Sequence, residues 1–301
     1  MIREPRTSNP APGTPNLEPG TKNHEPRTRN PEPAFRVTVL GSGTSHGVPS
    51  IGCDCAVCRS TDPRDRRTRP SILIELQSRA ATPFAASVRS ILVDTSTDLR
   101  EQALANDIRR VDAILFTHSH ADHVFGLDDV RRYNQIQRGA IACYADADTA
   151  ASLRHIFSYV FNPPAQIGGG IPQLTLFTIA GPLSLGGVEV VPVPLFHGRL
   201  PVLGFRIGAF AYLTDCNRIP EDSWRLLTEN GGVRTVILDA LRHRPHSTHF
   251  SVGEAVDVVT RLGATRAYFT HICHDLGHAA TCAQLPAGME LAYDGLVLEI
   301  A

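Results

Sequence analysis

The chain has 301 residues, 42% of them hydrophobic and 20% charged, a composition that suits a globular protein long enough for one large domain or two small ones. A formal net charge of −1 excludes the global positive field that would advertise a nucleic-acid partner. No apolar run reaches bilayer length and the N-terminus lacks the apolar stretch of a secretory signal, so the expectation is a cytoplasmic protein with no membrane span.

Residues 1–33 hold eight of the 22 prolines and repeat every seven residues, as EPRTSNP, APGTPNL, EPGTKNH and EPRTRNP. A heptad with recurring proline and no apolar seam is not a coiled coil. Such a segment buries too little surface to offset its chain entropy, so a disordered tail without a docking role is expected, followed by one domain over 34–301. FRVTVLGSG then reads as a strand entering a Gly-rich loop, with SILIEL and SILVD as the next strands. TDLREQALAND has the pattern of an amphipathic helix capped by Thr97, and DAILFTH is a short buried strand. DTAASLRHIFSYV is a helix broken by NPP; VEVVPVPLFHG, GFRIG, AFAYLTD and TVILDA are strands. SVGEAVDVVTRLG is a helix with Ser251 and Glu254 as a capping box, and RAYFTH and LVLEI close the chain as strands. Strands in two groups, each followed by helices, predict an α/β architecture of two packed sheets covered by helices on the outside.

THSHADHVFG, residues 117–126, places three histidines and an aspartate within six positions directly after an apolar strand. Imidazole nitrogens and carboxylate oxygens are good ligands for zinc, manganese and iron. His118 and His120 are two apart and can converge on one ion, while Asp122 and His123 diverge toward a second. Two ions need further ligands, and His197, Asp215 and His271 each end an apolar strand, where reactive groups gather in layered α/β folds. Asp215 is the candidate bridge, since a carboxylate offers one oxygen to each ion. CDCAVC supplies Cys53, Cys55 and Cys58; in a reducing compartment three such thiols point to zinc, and His274 in HICHD offers the fourth ligand. Cys143, Cys216, Cys273 and Cys282 read as ordinary buried thiols.

HSHADH resembles the HxHxDH signature of the metallo-β-lactamase superfamily, and His197, Asp215 and His271 match its remaining ligands in order. The resemblance implies a four-layer αβ/βα sandwich with a dinuclear site, and gives Asp94 a supporting role behind the ligands. GSGTSHGVPSIGCDCAVC together with THICHD is similar to the phosphodiesterase of the bacterial carbon–phosphorus lyase pathway and its relatives. That likeness implies two divalent ions, zinc or manganese, one structural zinc, and hydrolysis of small cyclic phosphodiesters such as ribosyl cyclic phosphate or 2′,3′-cyclic nucleotides. It also implies a non-ligand catalytic histidine in LRHRPHSTHF: His249 first, His246 second. His249, Asp122 and Asp215 then form the catalytic set. Relatives of this kind are commonly dimers, so a homodimer is an open expectation. His243 and His278 are expected at the surface, and His46 either lines the pocket or is solvated. Other readings stay open: an RNA-processing nuclease of the tRNA 3′-end type, for which the mixed-charge segment from Tyr133 to Gly170 offers no basic arm, or a thioester or lactone hydrolase. A non-enzymatic metal sensor fits least, because all seven ligand positions are filled.

Overall fold

Two seven-stranded sheets, each half antiparallel and half parallel, account for the strand pattern of the sequence. The computed structural model describes residues 34–76, 88–162 and 170–301, so the proline-rich segment 1–33 lies outside the described residues. The first sheet contains β1 (Phe35–Gly41), β2 (Ser71–Leu76), β3 (Ser90–Val93), β4 (Ala113–Leu115), β5 (Ile141–Ala145) and β6 (Leu174–Thr178). The second contains β7 (Leu183–Leu185), β8 (Val188–His197), β9 (Leu200–Ile207), β10 (Phe210–Leu213), β11 (Thr235–Asp239), β12 (Arg266–Thr270) and β13 (Met289–Leu291). The last strand, β14 (Val297–Ile300), returns to the first sheet beside β1, giving the orders β14-β1-β2-β3-β4-β5-β6 and β13-β12-β11-β10-β9-β8-β7. β3 to β6 are mutually parallel, as are β10 to β13.

The period of two along each strand divides its side chains between two cores. Phe35, Val37, Ile74 and Ile91 meet Phe205, Phe210, Tyr212 and Ile237 between the sheets. Leu73, Leu92 and Ile114 point the other way, under α1 (Leu99–Ala105), α3 (Arg131–Gln137) and α4 (Ala147–Ile156). On the far side Ala211, Leu213, Val236 and Leu238 pack under α6 (Glu221–Thr228) and α7 (Val252–Leu262). The short α2 (Ala121–Val124), α5 (Ser158–Phe161) and α8 (His278–Cys282) complete the α-helices among the described residues. The result is the helix–sheet–sheet–helix sandwich expected from the strand grouping. Each fully buried Val, Leu, Ile or Phe in these layers contributes about 1.5–3 kcal/mol relative to exposure.

α7 carries the capping box read from the sequence: the Ser251 side chain accepts from the Glu254 amide, and the Glu254 side chain accepts from the Ser251 amide. Gly263 ends the helix at φ 67°, a conformation glycine adopts without strain. α1 departs from expectation. Asp98, not Thr97, occupies its cap position, and the Thr97 hydroxyl donates instead to the Ala121 carbonyl. The mixed-charge stretch after Tyr133 also contains β5, an interior strand of the first sheet. Prolines 192 and 194 are tolerated inside β8 because β7 reaches only Val190, so the donor-less side of both residues faces no partner strand.

Candidate metal centres

The candidate ligands collect at the C-terminal ends of the parallel strands, where the two sheets face one another. Asp94 follows β3, His118 lies three residues past β4, Asp215 two past β10, and His271 directly past β12. Asp94, Asp215 and His271 have left-handed backbones, with φ of 64°, 50° and 60°. Such a conformation costs roughly 1–2 kcal/mol for a non-glycine residue, and it recurs where side chains must be aimed at a site. The His-rich loop folds back through α2, and Gly126 lets it close. A Cβ there would sit 2.0 Å from the Ser96 carbonyl, while the Gly126 amide donates to Thr95 at 3.0 Å.

Asp215 is the meeting point. One carboxylate oxygen, Oδ2, lies 3.3 Å from both His118 Nε2 and His123 Nε2; the other, Oδ1, lies 2.7 Å from His271 Nε2. Asp122 Oδ2 lies 3.4 Å from His123 Nε2 and 3.7 Å from His271 Nε2. Three His/Asp sets follow, each with its donor atoms within 4.8 Å of one another: Asp122, His123, Asp215 and His271, all buried; His118, His120 and Asp215, of which His120 is exposed; and Asp215, Asp239, His249 and His271, all buried. His197 faces the second set without joining it at that range; its ring centroid is 5.3 Å from that of His120 and 6.0 Å from that of His118.

Three histidines are held in the tautomer a ligand needs. The Thr117 hydroxyl donates to Asp94 Oδ2 at 2.7 Å, so it accepts from His118 Nδ1–H at 3.0 Å. His123 Nδ1–H donates to Asp94 Oδ2 at 2.7 Å, and His197 Nδ1–H donates to the Thr248 carbonyl at 3.0 Å. Each leaves its Nε2 lone pair free. Asp94, fully buried and also accepting the Thr117 amide at 2.8 Å, thus orients two rings at once. His118 Nε2, His123 Nε2, Asp215 Oδ1 and both His271 nitrogens are buried and hydrogen-bonded to nothing; the 2.7 Å approach of His271 to Asp215 lacks hydrogen-bond geometry. Burial resists ionisation throughout, yet neighbouring imidazoles hold the Asp215 carboxyl well below the usual range and carboxylates raise His123 well above its own. A dry cluster of converging lone pairs with excess carboxylate charge is a donor set that fits divalent cations.

His249 stands outside the first two sets and shares the third with Asp215, Asp239 and His271. Its ring stacks on His271 at 4.5 Å and 14°, and lies 4.6 Å from His197. Its Nδ1–H donates to Asp239 Oδ2 at 2.9 Å; Asp239 also accepts the amides of Phe250 at 3.1 Å and Cys216 at 3.3 Å. Asp239 is a functional candidate the sequence reading passed over. Its signal was the one that marked Asp215, an acid closing an apolar strand, here TVILD. His246 lies 5.2 Å from His249, while His46 and His243 are exposed. His278 is not at the surface. It is buried, with Nδ1 3.3 Å from Arg67 Nη2 and Nε2 3.7 Å from Cys282 Sγ, and burial together with Arg67 lowers its pKa to about 4. Of the scattered cysteines, Cys143 and Cys216 are buried, whereas Cys273 and Cys282 are only partly so.

The loop after β1 brings the other cysteines to His274. Ile272 forms a parallel bridge with Gly43, accepting from the Thr44 amide at 3.0 Å and donating to the Ser42 carbonyl at 3.0 Å, which ties that loop to the one that carries His271. Cys53, Cys55 and Cys58 place their sulfurs 3.1, 3.6 and 3.4 Å from His274 Nδ1. A tetrahedron with metal–sulfur and metal–nitrogen bonds near 2.3 and 2.0 Å has edges of about 3.5 Å, so this set fits zinc. The Cys58 amide lowers the Cys55 thiol to about 7, whereas burial raises Cys58 to about 11.

A helix-flanked pair of mixed sheets with His and Asp side chains gathered at one edge is the architecture of the metallo-β-lactamase superfamily, and residues 89–272 match the beta-lactamase superfamily domain. A crystal structure of a new diphosphatase from the PhnP family is 44% identical, covers 89% of this chain and 97% of its own, and superposes with a TM-score of 0.79. The chain belongs to the PhnP family. Zn(2+)-bound PqqB from Methylobacterium extorquens, at 21% identity and TM-score 0.67 over 88% of this chain and all of its own, shares the fold. An octanoyltransferase of Porphyromonas gingivalis is 36% identical over 263 residues, 87% of this chain. The chain spans 51% of that relative's length. Among the described residues no helix is long and apolar enough to cross a membrane.

Proposed function

We propose that the chain hydrolyses small phosphodiesters, with two divalent ions, zinc or manganese, at the His/Asp centre and a structural zinc on Cys53, Cys55, Cys58 and His274. The observation that carries this reading is Asp215, whose two oxygens face the histidines of the first two sets, with the His249–Asp239 pair alongside. In this reading His118, His120, His197 and Asp215 hold one ion, and Asp122, His123, His271 and Asp215 the other. When bound, the ions lower the pKa of water and take up charge on the phosphoryl oxygens. The chain's own residues do the rest. Asp94 holds His118 (through Thr117) and His123 in register. Asp239 accepts the His249 Nδ1–H and so orients the ring; as imidazolium, His249 turns its Nε2–H to the leaving oxygen, to protonate or hydrogen-bond it.

Cyclic phosphodiesters remain the finer substrate reading, and the diphosphatase relative favours a second one. Each phosphorus of a linear diphosphate diester also carries two substituted oxygens, so the same machinery serves both. Acyl transfer, suggested by the octanoyltransferase, has less support beside the His/Asp centre: the described residues contain no lysine, and burial keeps the adjacent Cys216 thiol well above its ordinary pKa. The test is turnover of bis(p-nitrophenyl) phosphate, a 2′,3′-cyclic nucleotide and a thioester by zinc- and manganese-loaded protein. Cleavage of the phosphodiesters and not of the thioester is expected; the reverse would overturn the reading.

The structural zinc has its own test. Cys55→Ser is expected to lower bound zinc by one per chain and the Tm by about 5–10 °C, the consequence of losing roughly 2–3 kcal/mol in a domain of this size. Metal analysis and calorimetry check it; an unchanged zinc content would remove this metal from the proposal.

A further inference from the structure

The loop between β11 and α7 carries a second histidine at the mouth of the site, and none of the three His/Asp sets uses it. His246 lies 5.2 Å from His249, ring to ring. The loop around it is fixed despite having no regular structure. Arg242 donates from Nε to the Arg244 carbonyl and from Nη2 to the Pro245 carbonyl, both at 3.3 Å. Asn217 Nδ2 donates to the Ser247 carbonyl at 2.8 Å, and its Oδ1 accepts the Gly198 amide at 2.9 Å. Gly198, at φ 63°, leaves no room for a side chain: a Cβ would lie 2.9 Å from Thr248 Cγ2. The turn after His197 and the His246 loop are therefore shaped to one another.

The tautomer of His246 is opposite to that of His249. A backbone amide can only donate, and that of Thr248 points at His246 Nδ1 from 3.3 Å, with its hydroxyl at 3.2 Å. Nδ1 is an acceptor, so the proton sits on Nε2, which makes no hydrogen bond to the described residues. Burial, His249 and Arg242 all lower the pKa of this ring. The loop sequence RHRPHST contains no acid; Arg244 is answered by Asp275 at 3.0 Å, while His243 and, on the facing turn, Arg199 are exposed. A fixed N–H donor on a cationic loop suits an anionic oxygen, and the scissile group already has the metals and His249.

We infer that His246 is a specificity residue whose Nε2–H binds a second phosphoryl group next to the scissile one, making the 242–248 loop the subsite for diphosphate diesters. The inference rests on the phosphodiesterase reading above. His246→Asn is the informative variant: its amide oxygen can still accept from Thr248 and hold the loop, while the Nε2–H is lost. With diadenosine diphosphate the variant is expected to raise KM about ten- to hundredfold, the loss of one hydrogen bond to a charged group, and to leave kcat within a few-fold. With bis(p-nitrophenyl) phosphate, kcat/KM should change less than about threefold. In parallel, calorimetric titration of the metal-loaded protein should show inorganic pyrophosphate binding more tightly than inorganic phosphate, and His246→Asn should abolish that difference. Equal effects on both substrates, or an unchanged preference for pyrophosphate, would overturn the subsite. Failure of the wild type to cleave bis(p-nitrophenyl) phosphate would instead overturn the phosphodiesterase reading, and the pyrophosphate titration would still decide the role of His246.

Discussion

Asp215→Ala is expected to abolish measurable phosphodiesterase activity and to lower the catalytic metal content, while the Cys-bound zinc stays at one per chain. Asp215 is the residue common to both proposed ion sites, with His118 and His123 facing one oxygen and His271 the other. Losing a single preorganised stabilising group typically costs a hundred- to thousandfold, and a shared ligand should cost at least about a thousandfold. Stability separates this role from a merely structural one. Without ions, a fully buried carboxylate stabilises little, because its desolvation opposes its attraction to neighbouring imidazoles. The chelated variant should therefore melt close to the chelated wild type. On adding metal, the wild type should gain stability according to its affinity, as any ligand specific to the folded state requires, and the variant should gain far less. Metal analysis and melting curves in chelator and in excess zinc or manganese check this. Full metal content with turnover within tenfold of wild type would remove Asp215 from the centre.

The strands that position these groups were legible because period-two burial and strand-end polar residues leave a mark in the sequence. VEVVPVPLFH, AFAYLTD and RAYFTH each end on a group that the fold turns toward the others. The capping box of α7 was legible for a similar reason, since its hydrogen bonds join residues three apart. What stayed hidden depended on distant partners. β5, IACYA, has no turn chemistry of its own and becomes a strand because β4 and β6 flank it. Thr97 has the chemistry of a cap, but the Ala121 carbonyl, 24 residues away, takes its hydroxyl. His278 reads as a surface residue until Arg67 and Cys282 are placed around it. Asp239 was within reach and was missed because no motif drew attention to it; its meaning appears only when His249 arrives at 2.9 Å.

That contact leads to the second large effect. His249→Ala should retain every metal ion and still lose about a hundred- to ten-thousandfold in turnover on a substrate with an alkoxide leaving group, the cost of removing a positioned acid. On bis(p-nitrophenyl) phosphate the loss should be much smaller, because p-nitrophenolate departs without a proton. The contrast between leaving groups is the diagnostic, since a damaged fold or a lost metal would depress both alike. Asp239→Asn extends the argument. Its amide is nearly the same size but can donate where the carboxylate only accepts, so His249 is no longer held with its proton on Nδ1. The Asn variant should approach the His249→Ala loss on the alkoxide substrate, and the double variant should be little worse than either, since the two residues act as one unit. Additive losses would show that Asp239 acts apart from His249. Depleted metal with unchanged activity per ion would show that His249 is a ligand and not the acid.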